Sequence, residues 1–159
     1  MMISKDKKVF ITGCGGMLGK AVYERFSPHC QVLATDIDRN EPWLENGDVR
    51  KFEEILEKAS KFGPDLIINL AALTDLEYCE ENPENTWKTN ALGAENMALI
   101  SKRLDATHIY ISTAGIFDGK QESYNDFDQP KPMSIYAKSK YYGEVIIEKM
   151  LDNYFIFRA

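Results

Sequence analysis

Short, almost wholly apolar runs alternate along this chain with stretches in which apolar residues recur every three or four positions. The runs are Val9 to Thr12, Gln31 to Ala34, Leu66 to Leu70, Ile109 to Ser112 and Phe155 to Phe157. A strand with one wet face alternates polar and apolar residues, so unbroken apolar runs mark strands covered on both faces, as in parallel sheets. The intervening stretches, Gly16 to Phe26, Lys51 to Phe62, Glu84 to Arg103 and Ser134 to Met150, carry the helical period. Strand–helix alternation implies right-handed crossovers, and the expected fold is α/β, a doubly wound parallel sheet with helices on both faces. A short extra edge strand is expected within Pro42 to Val49. The polar, proline-containing stretch Gly119 to Pro132 reads as a long loop over the carboxyl edge of the sheet, where ligands bind.

With 159 residues, 44% of them hydrophobic, the chain suits a single domain that buries roughly 70% of its unfolded surface. Nineteen Lys and Arg against twenty-five Asp and Glu give a net charge of −6, which disfavours nucleic acid and anionic membrane surfaces as partners. No apolar run approaches the length of a spanning helix, and neither an anchor nor a signal peptide is expected. Cys14, Cys30 and Cys79 form no ligand or CxxC pattern, so a reducing cytoplasmic setting is expected and no metal site. His29 and His108, far apart and without local partners, are expected to be structural.

The first strand runs directly into Gly13-Cys14-Gly15-Gly16-Met17-Leu18-Gly19 and then a helix. Glycines in such a turn permit positive φ and close backbone approach to a pyrophosphate, which the free N–H groups of the helix start then stabilise. Asp36, about twenty residues beyond Gly13 and just after the second strand, stands where a carboxylate accepts from adenosine ribose hydroxyls. Asp38 rivals it for that place. An acid here repels a 2′-phosphate and favours NAD(H), while Arg39 is close enough to turn toward that phosphate, so NADP(H) stays open. Asp48 and Val49 suit the adenine amino group and ring, with helix capping the alternative for Asp48.

Tyr136 and Lys140 stand four apart, on one face of the helix that follows the long loop, and Ser112-Thr113 ends the preceding strand. A phenol titrates near 10, and a neighbouring lysine ammonium is expected to lower that value and fit Tyr136 for proton transfer.

This order of glycine turn, acid, strand-end Ser/Thr and Tyr-x-x-x-Lys resembles the short-chain dehydrogenase/reductase superfamily, and its extended branch in particular. The segments ITGCGGMLGKAV, PDLIINLAALTDLEYCE, TNALGAENMA, ISTAGIFDG, IYAKSKYYGE and FIFRA together resemble the dTDP-4-dehydrorhamnose reductase family. The resemblance implies a Rossmann-type NAD(P)-binding domain over residues 1–159 and reduction of a nucleotide-linked 4-keto sugar. It assigns Thr113 to the keto oxygen, Tyr136 to proton donation and Lys140 to the nicotinamide ribose. It places Leu70, Ala71 and Ala72 against the cofactor, with Asn90 making a structural bond to backbone. A homodimer is compatible with it.

Ala114-Gly115 stand where the family usually has Asp and an aromatic, which removes a polar contact near the sugar and the acid and base of a sugar dehydratase. Ser134 and Ala137 replace the usual Asn and Gly around the tyrosine. The family also continues into a C-terminal substrate lobe that this chain is expected to lack, as a fragment or remnant. A nucleotide-sugar epimerase and a non-catalytic regulatory subunit, like that of methionine adenosyltransferase, are the alternatives.

Overall fold

The computed structural model describes residues 5–159. The expectation about a signal peptide falls partly on residues 1–4, outside the described residues. Six strands form one parallel sheet: β1 (Lys8–Thr12), β2 (Gln31–Asp36), β3 (Glu45–Asn46), β4 (Leu66–Asn69), β5 (Thr107–Ser112) and β6 (Tyr154–Arg158). Their spatial order is β3-β2-β1-β4-β5-β6, so the winding reverses between β1 and β4. This is the doubly wound α/β arrangement expected, and its crevice opens at the carboxyl ends of β1 and β4. Thr12 is in register with both Thr35 and Asn69, which brings those ends level.

Helices α1 (Gly19–Phe26), α2 (Phe52–Phe62), α3 (Leu76–Glu81), α4 (Pro83–Thr86), α5 (Gly93–Leu104) and α6 (Ile135–Met150) complete the fold. Alternate strand residues supply opposite faces. Val9, Ile11 and Ile68 pack against Val22, Tyr23 and Phe26 of α1, while Phe10 and Ile67 pack against Ile55 of α2 and Met97 and Ile100 of α5. Each large aliphatic or aromatic side chain so buried contributes about 1.5–3 kcal/mol. Beyond β4, Tyr110, Ala94, Ala98, Ile147 and Leu151 join β5, α5 and α6.

The stretch expected as one helix from Glu84 to Arg103 is three: α4, a wider π-helical segment over Trp87–Leu92, and α5. The bulge turns Asn90 inward, where it is 1% exposed. Helix α3 was not expected. It is short, and Asp75 caps it by accepting from the Tyr78 N–H at 3.0 Å. The edge strand within Pro42 to Val49 is the two-residue β3. Helix α1 starts at Gly19 rather than Gly16, because the preceding glycines make a tight turn with Gly16 N–H donating to Gly13 O and Gly19 N–H to Gly16 O.

His108 lies fully buried in β5 with Nδ1 2.8 Å from Ser101 Oγ, and burial holds its pKa down at about 4. The three cysteines are buried and unpaired. Among the described residues no helix is long and apolar enough to cross a membrane.

Candidate functional site

A cleft of about 620 Å³ runs over the carboxyl ends of the strands. One end is the turn after β1. Gly13 has φ +71°, and a Cβ there would come within 2.3 Å of the Ala71 backbone nitrogen, so glycine is what lets the turn lie on the end of β4. Gly19 does not line the cleft; a Cβ on it would fall 1.8 Å from the Cys14 carbonyl oxygen, which makes its role close packing at the start of α1. Gly16 is different, for its Cβ would meet only Gly13 O at 3.4 Å, and it faces the cleft. Met17, with its side chain exposed, and Leu18 border the same opening.

Asp36 ends β2 at the rim. Its Oδ2 accepts from the Gly15 N–H at 2.8 Å and its Oδ1 from the Asp38 N–H at 2.9 Å, so the carboxylate is fixed beside the glycine turn. Asp38 lines the cleft as well. Asp48 and Val49 form the adjoining wall, but Asp48 caps no helix. Its carboxylate grips Arg50 through Nε at 2.8 Å and Nη2 at 2.7 Å, which holds its pKa below the ordinary carboxylate value. Arg50 Nη1 in turn donates to Asn85 Oδ1 at 3.0 Å, and Asn85 donates to the Tyr78 hydroxyl at 2.9 Å. Arg50, Asn85 and Tyr78 all border the cleft and went unseen in the sequence, because a chain of contacts across three elements leaves no local pattern.

Leu70, Ala71 and Ala72 form the floor after β4. Opposite the glycine turn stand Tyr136 and Lys140 of α6. Ser134, in place of the family asparagine, caps this helix by accepting from Ala137 N–H at 3.1 Å. Glu80 of α3 adds a second cap, accepting from Ile135 N–H at 2.7 Å. Asn90 bonds both backbone groups of Leu73, at 2.7 and 2.9 Å, and donates to Ser139 Oγ, which donates to Tyr136 O at 2.7 Å. The backbone contact expected of Asn90 is present, and through Ser139 it also braces the turn that carries Tyr136.

Thr113 follows β5, its Oγ1 accepts from the Gly115 N–H at 3.1 Å, and its hydroxyl lies near enough to the Tyr136 phenol to act on it. Contrary to expectation, the phenol's pKa lies above its ordinary value. Burial raises it, the nearby Thr113 hydroxyl lowers it, and the nearby Cys79 raises it again. Lys140 does not offset this, because its Nζ lies over the Tyr110 ring, 4.0 Å from the centroid, and burial draws the amine itself down to about 7. A partly neutral lysine cannot supply the full cation that would acidify the phenol. In this state Tyr136 is a phenol, hence a proton donor. Two further polar groups at the strand ends, Ser112 Oγ and Asn69 Nδ2, are buried without a protein partner, and Ser112 faces the cleft.

The glycine turn open at Gly16, the acid Asp36 at the rim beside it and the apolar floor fit a dinucleotide in shape and donor set. Comparison with known proteins agrees with this architecture. The chain is 29% identical over 154 residues to the probable low-salt glycan biosynthesis reductase Agl14 of Haloferax volcanii, covering 94% of this chain and 51% of that protein. It is 31% identical over 140 residues to methionine adenosyltransferase 2 subunit beta of Xenopus laevis, covering 87% and 42%. It superposes with TM-score 0.88 and 32% identity on the crystal structure of dTDP-4-dehydrorhamnose reductase from Bacillus anthracis in complex with NADP, covering 96% of this chain and 53% of that one. The chain thus spans about half the length of the relatives it matches. The family model described as the RmlD substrate binding domain matches residues 7–159, and the chain belongs to that family.

Proposed function

We propose that residues 1–159 form the dinucleotide-binding domain of an NAD(P)-dependent reductase acting on a nucleotide-linked 4-keto sugar. The observation that carries this reading is that Tyr136 and Lys140 line the same cleft as the glycine turn and Asp36, with the Thr113 side chain near Tyr136. Gly13, Gly16, Met17 and Leu18 receive the pyrophosphate, with Gly19 packing the helix start behind them. Asp36 accepts from the adenosine ribose and favours NAD(H) over NADP(H). Asp48 and Val49 flank the adenine, while Leu70, Ala71 and Ala72 let the chain of the cofactor pass. A bound reduced nicotinamide supplies hydride to the carbonyl carbon. The raised pKa keeps Tyr136 protonated, and it hands its proton to the carbonyl oxygen that Thr113 polarises. Lys140, in its charged form, donates to the nicotinamide ribose. The net charge of −6 leaves nucleic acid and anionic membranes disfavoured as partners, and we place the protein in the cytoplasm, with a homodimer compatible.

The test is loss of reduced-nicotinamide absorbance in the presence of a nucleotide-linked 4-keto sugar. Turnover that depends on Tyr136 supports the reading. Tight dinucleotide binding without turnover of any such sugar transfers it to a non-catalytic regulatory subunit, a reading favoured by the likeness to methionine adenosyltransferase 2 subunit beta and by Ala114 in place of an acid.

A further inference from the structure

We propose that Tyr110 is a positioning residue for this site: its buried ring is the seat of the Lys140 ammonium, holding it without a counter-charge so that its N–H groups stay available to the ligand, an inference that rests on the cofactor reading above. Alternate residues of β5, namely His108, Tyr110 and Ser112, are buried, and Tyr110 packs among Ala94 and Ala98 of α5 and Ile147 of α6. Those alanines are small, and Gly143 of α6 completes the space. A Cβ there would come within 2.5 Å of the Tyr110 hydroxyl and 2.9 Å of its ring carbon Cζ. The phenol therefore lies close against the helix backbone, where its hydroxyl donates to Lys140 O at 3.4 Å. With that end of the ring fixed, Lys140 Nζ stands over its face, 4.0 Å from the centroid. Tyr110 is fully buried and Lys140 is 2% exposed, so little water screens the contact.

The charged and titratable groups nearby are engaged elsewhere. Glu144, one turn further along α6, gives both carboxylate oxygens to Arg158, at 3.1 and 2.9 Å. Asp126, in the long loop, stands 4.0 Å from Arg158. On α3, Glu80 accepts from Ile135 N–H and Cys79 lies near Tyr136, which also has the Thr113 hydroxyl beside it. From α5 come only Ala94 and Ala98. A seat of this kind differs from a carboxylate in what it leaves free. A carboxylate in contact would take one or two of the three N–H donors of the ammonium, whereas an aromatic ring attracts the charge through its quadrupole and claims no particular N–H. Lys140 borders the cleft beside Tyr136, so the donors it keeps are in place for a ribose hydroxyl. Tyr110 thus acts through Lys140 rather than by touching the ligand.

The experiment is calorimetric titration with NADH and with AMP of the wild-type chain, of Tyr110→Phe, and of the same substitution made with pentafluorinated phenylalanine. Tyr110→Phe keeps the ring face, and its NADH affinity is expected to stay within about two-fold of wild type. Fluorination nearly preserves the shape of the ring but removes the attraction of its face for a cation. NADH affinity is then expected to fall about ten-fold below that of Tyr110→Phe, while AMP, which carries only the adenosine half, binds as before. Equal NADH affinity with the two rings overturns the proposal. An equal loss for NADH and AMP overturns it too, because that is the result of a packing role alone. Should the fluorinated variant fail to fold, Tyr110→Met removes the ring and is read against the same two results. In parallel, nuclear magnetic resonance titration of side-chain-labelled lysine, with Lys140→Met assigning the signal, is expected to show the Lys140 midpoint lower by about 0.5–1 pH unit when the ring is fluorinated or absent. An unmoved midpoint overturns the proposal. If the wild-type chain binds no dinucleotide, the cofactor reading fails, whereas the lysine titration still decides whether the ring holds the ammonium.

Discussion

Two glycines of the turn after β1 are required by close packing and one, Gly16, is not, and alanine substitutions test whether that one is kept open for a ligand. At Gly19 an added Cβ would sit 1.8 Å from the Cys14 carbonyl oxygen, a backbone atom that cannot rotate away. The start of α1 must shift, and Gly19→Ala is expected to cost about 3 kcal/mol or more, in the range of severe overpacking. At Gly13 the cost has two parts. The left-handed φ of +71° costs about 1–2 kcal/mol for alanine, and the 2.3 Å approach to Ala71 N adds steric overlap. Gly16 has neither problem. Its φ is not left-handed and its nearest neighbour, Gly13 O, is at 3.4 Å. Gly16→Ala is therefore expected to leave folding stability within about 1 kcal/mol of wild type. If a pyrophosphate lies on the turn, the same methyl group takes the space its oxygens need, and dinucleotide affinity falls at least ten-fold, about 1.4 kcal/mol. Urea denaturation read by circular dichroism gives the first quantity and calorimetric titration with NADH the second. Gly16→Ala with wild-type affinity refutes the placement of the pyrophosphate, and Gly16→Ala as destabilised as Gly19→Ala refutes the reading of the turn.

Tyr136→Phe removes the donor hydroxyl alone, and turnover is expected to fall about 10²-fold or more with cofactor affinity within a few-fold; wild-type turnover contradicts its role. Asp36→Ala relieves repulsion of a 2′-phosphate, so the ratio of NADPH to NADH affinity rises, and an unchanged ratio in competition titrations points to Asp38 or Arg39 instead. The acid limit of stability is set partly by His108. Its folded pKa of about 4 lies below the 6.5 of the unfolded chain, so between these values the unfolded state binds the extra proton. Its contribution is fully present above pH 6.5 and is lost as pH falls toward 4, by about 3 kcal/mol in all. Denaturation of His108→Leu over that window lacks this part of the slope, and parallel slopes for the two proteins contradict the assignment.

Much of the fold was legible because its signals are local. Each central strand is an apolar run that nothing else explains, and the glycine turn, Asp36 and the Tyr136–Lys140 pair are spaced by the geometry of one strand end or one helix face. What was not legible depends on contacts between distant segments. The π-helical bulge at Trp87–Leu92 has no marker in a stretch whose periodicity looks continuous, and it exists where Asn90 reaches Leu73 and Ser139. Glu80 capping α6, Arg50 claimed by Asp48, and Glu144 tied to Arg158 all join elements separated in sequence. The electrostatics of Tyr136 and Lys140 differ from what their spacing implies for a related reason. Spacing shows that a lysine is near a tyrosine, but burial decides how much of its charge survives there, and burial is a property of the whole fold.

A nicotinamide dinucleotide bound in the cleft over β1 and β4 is expected to lie along a defined line from Asp36 to Lys140. The most direct test is titration of the isotope-labelled chain with NADH, followed by amide chemical shifts. Saturable binding below millimolar concentration is expected, with the largest shifts at Gly13 to Gly19, Asp36, Val49, Ala71 and Tyr136 and none along the outer face of α2. A folded chain whose spectrum is unmoved by millimolar NADH and NADPH, or whose shifts fall away from that line, contradicts it.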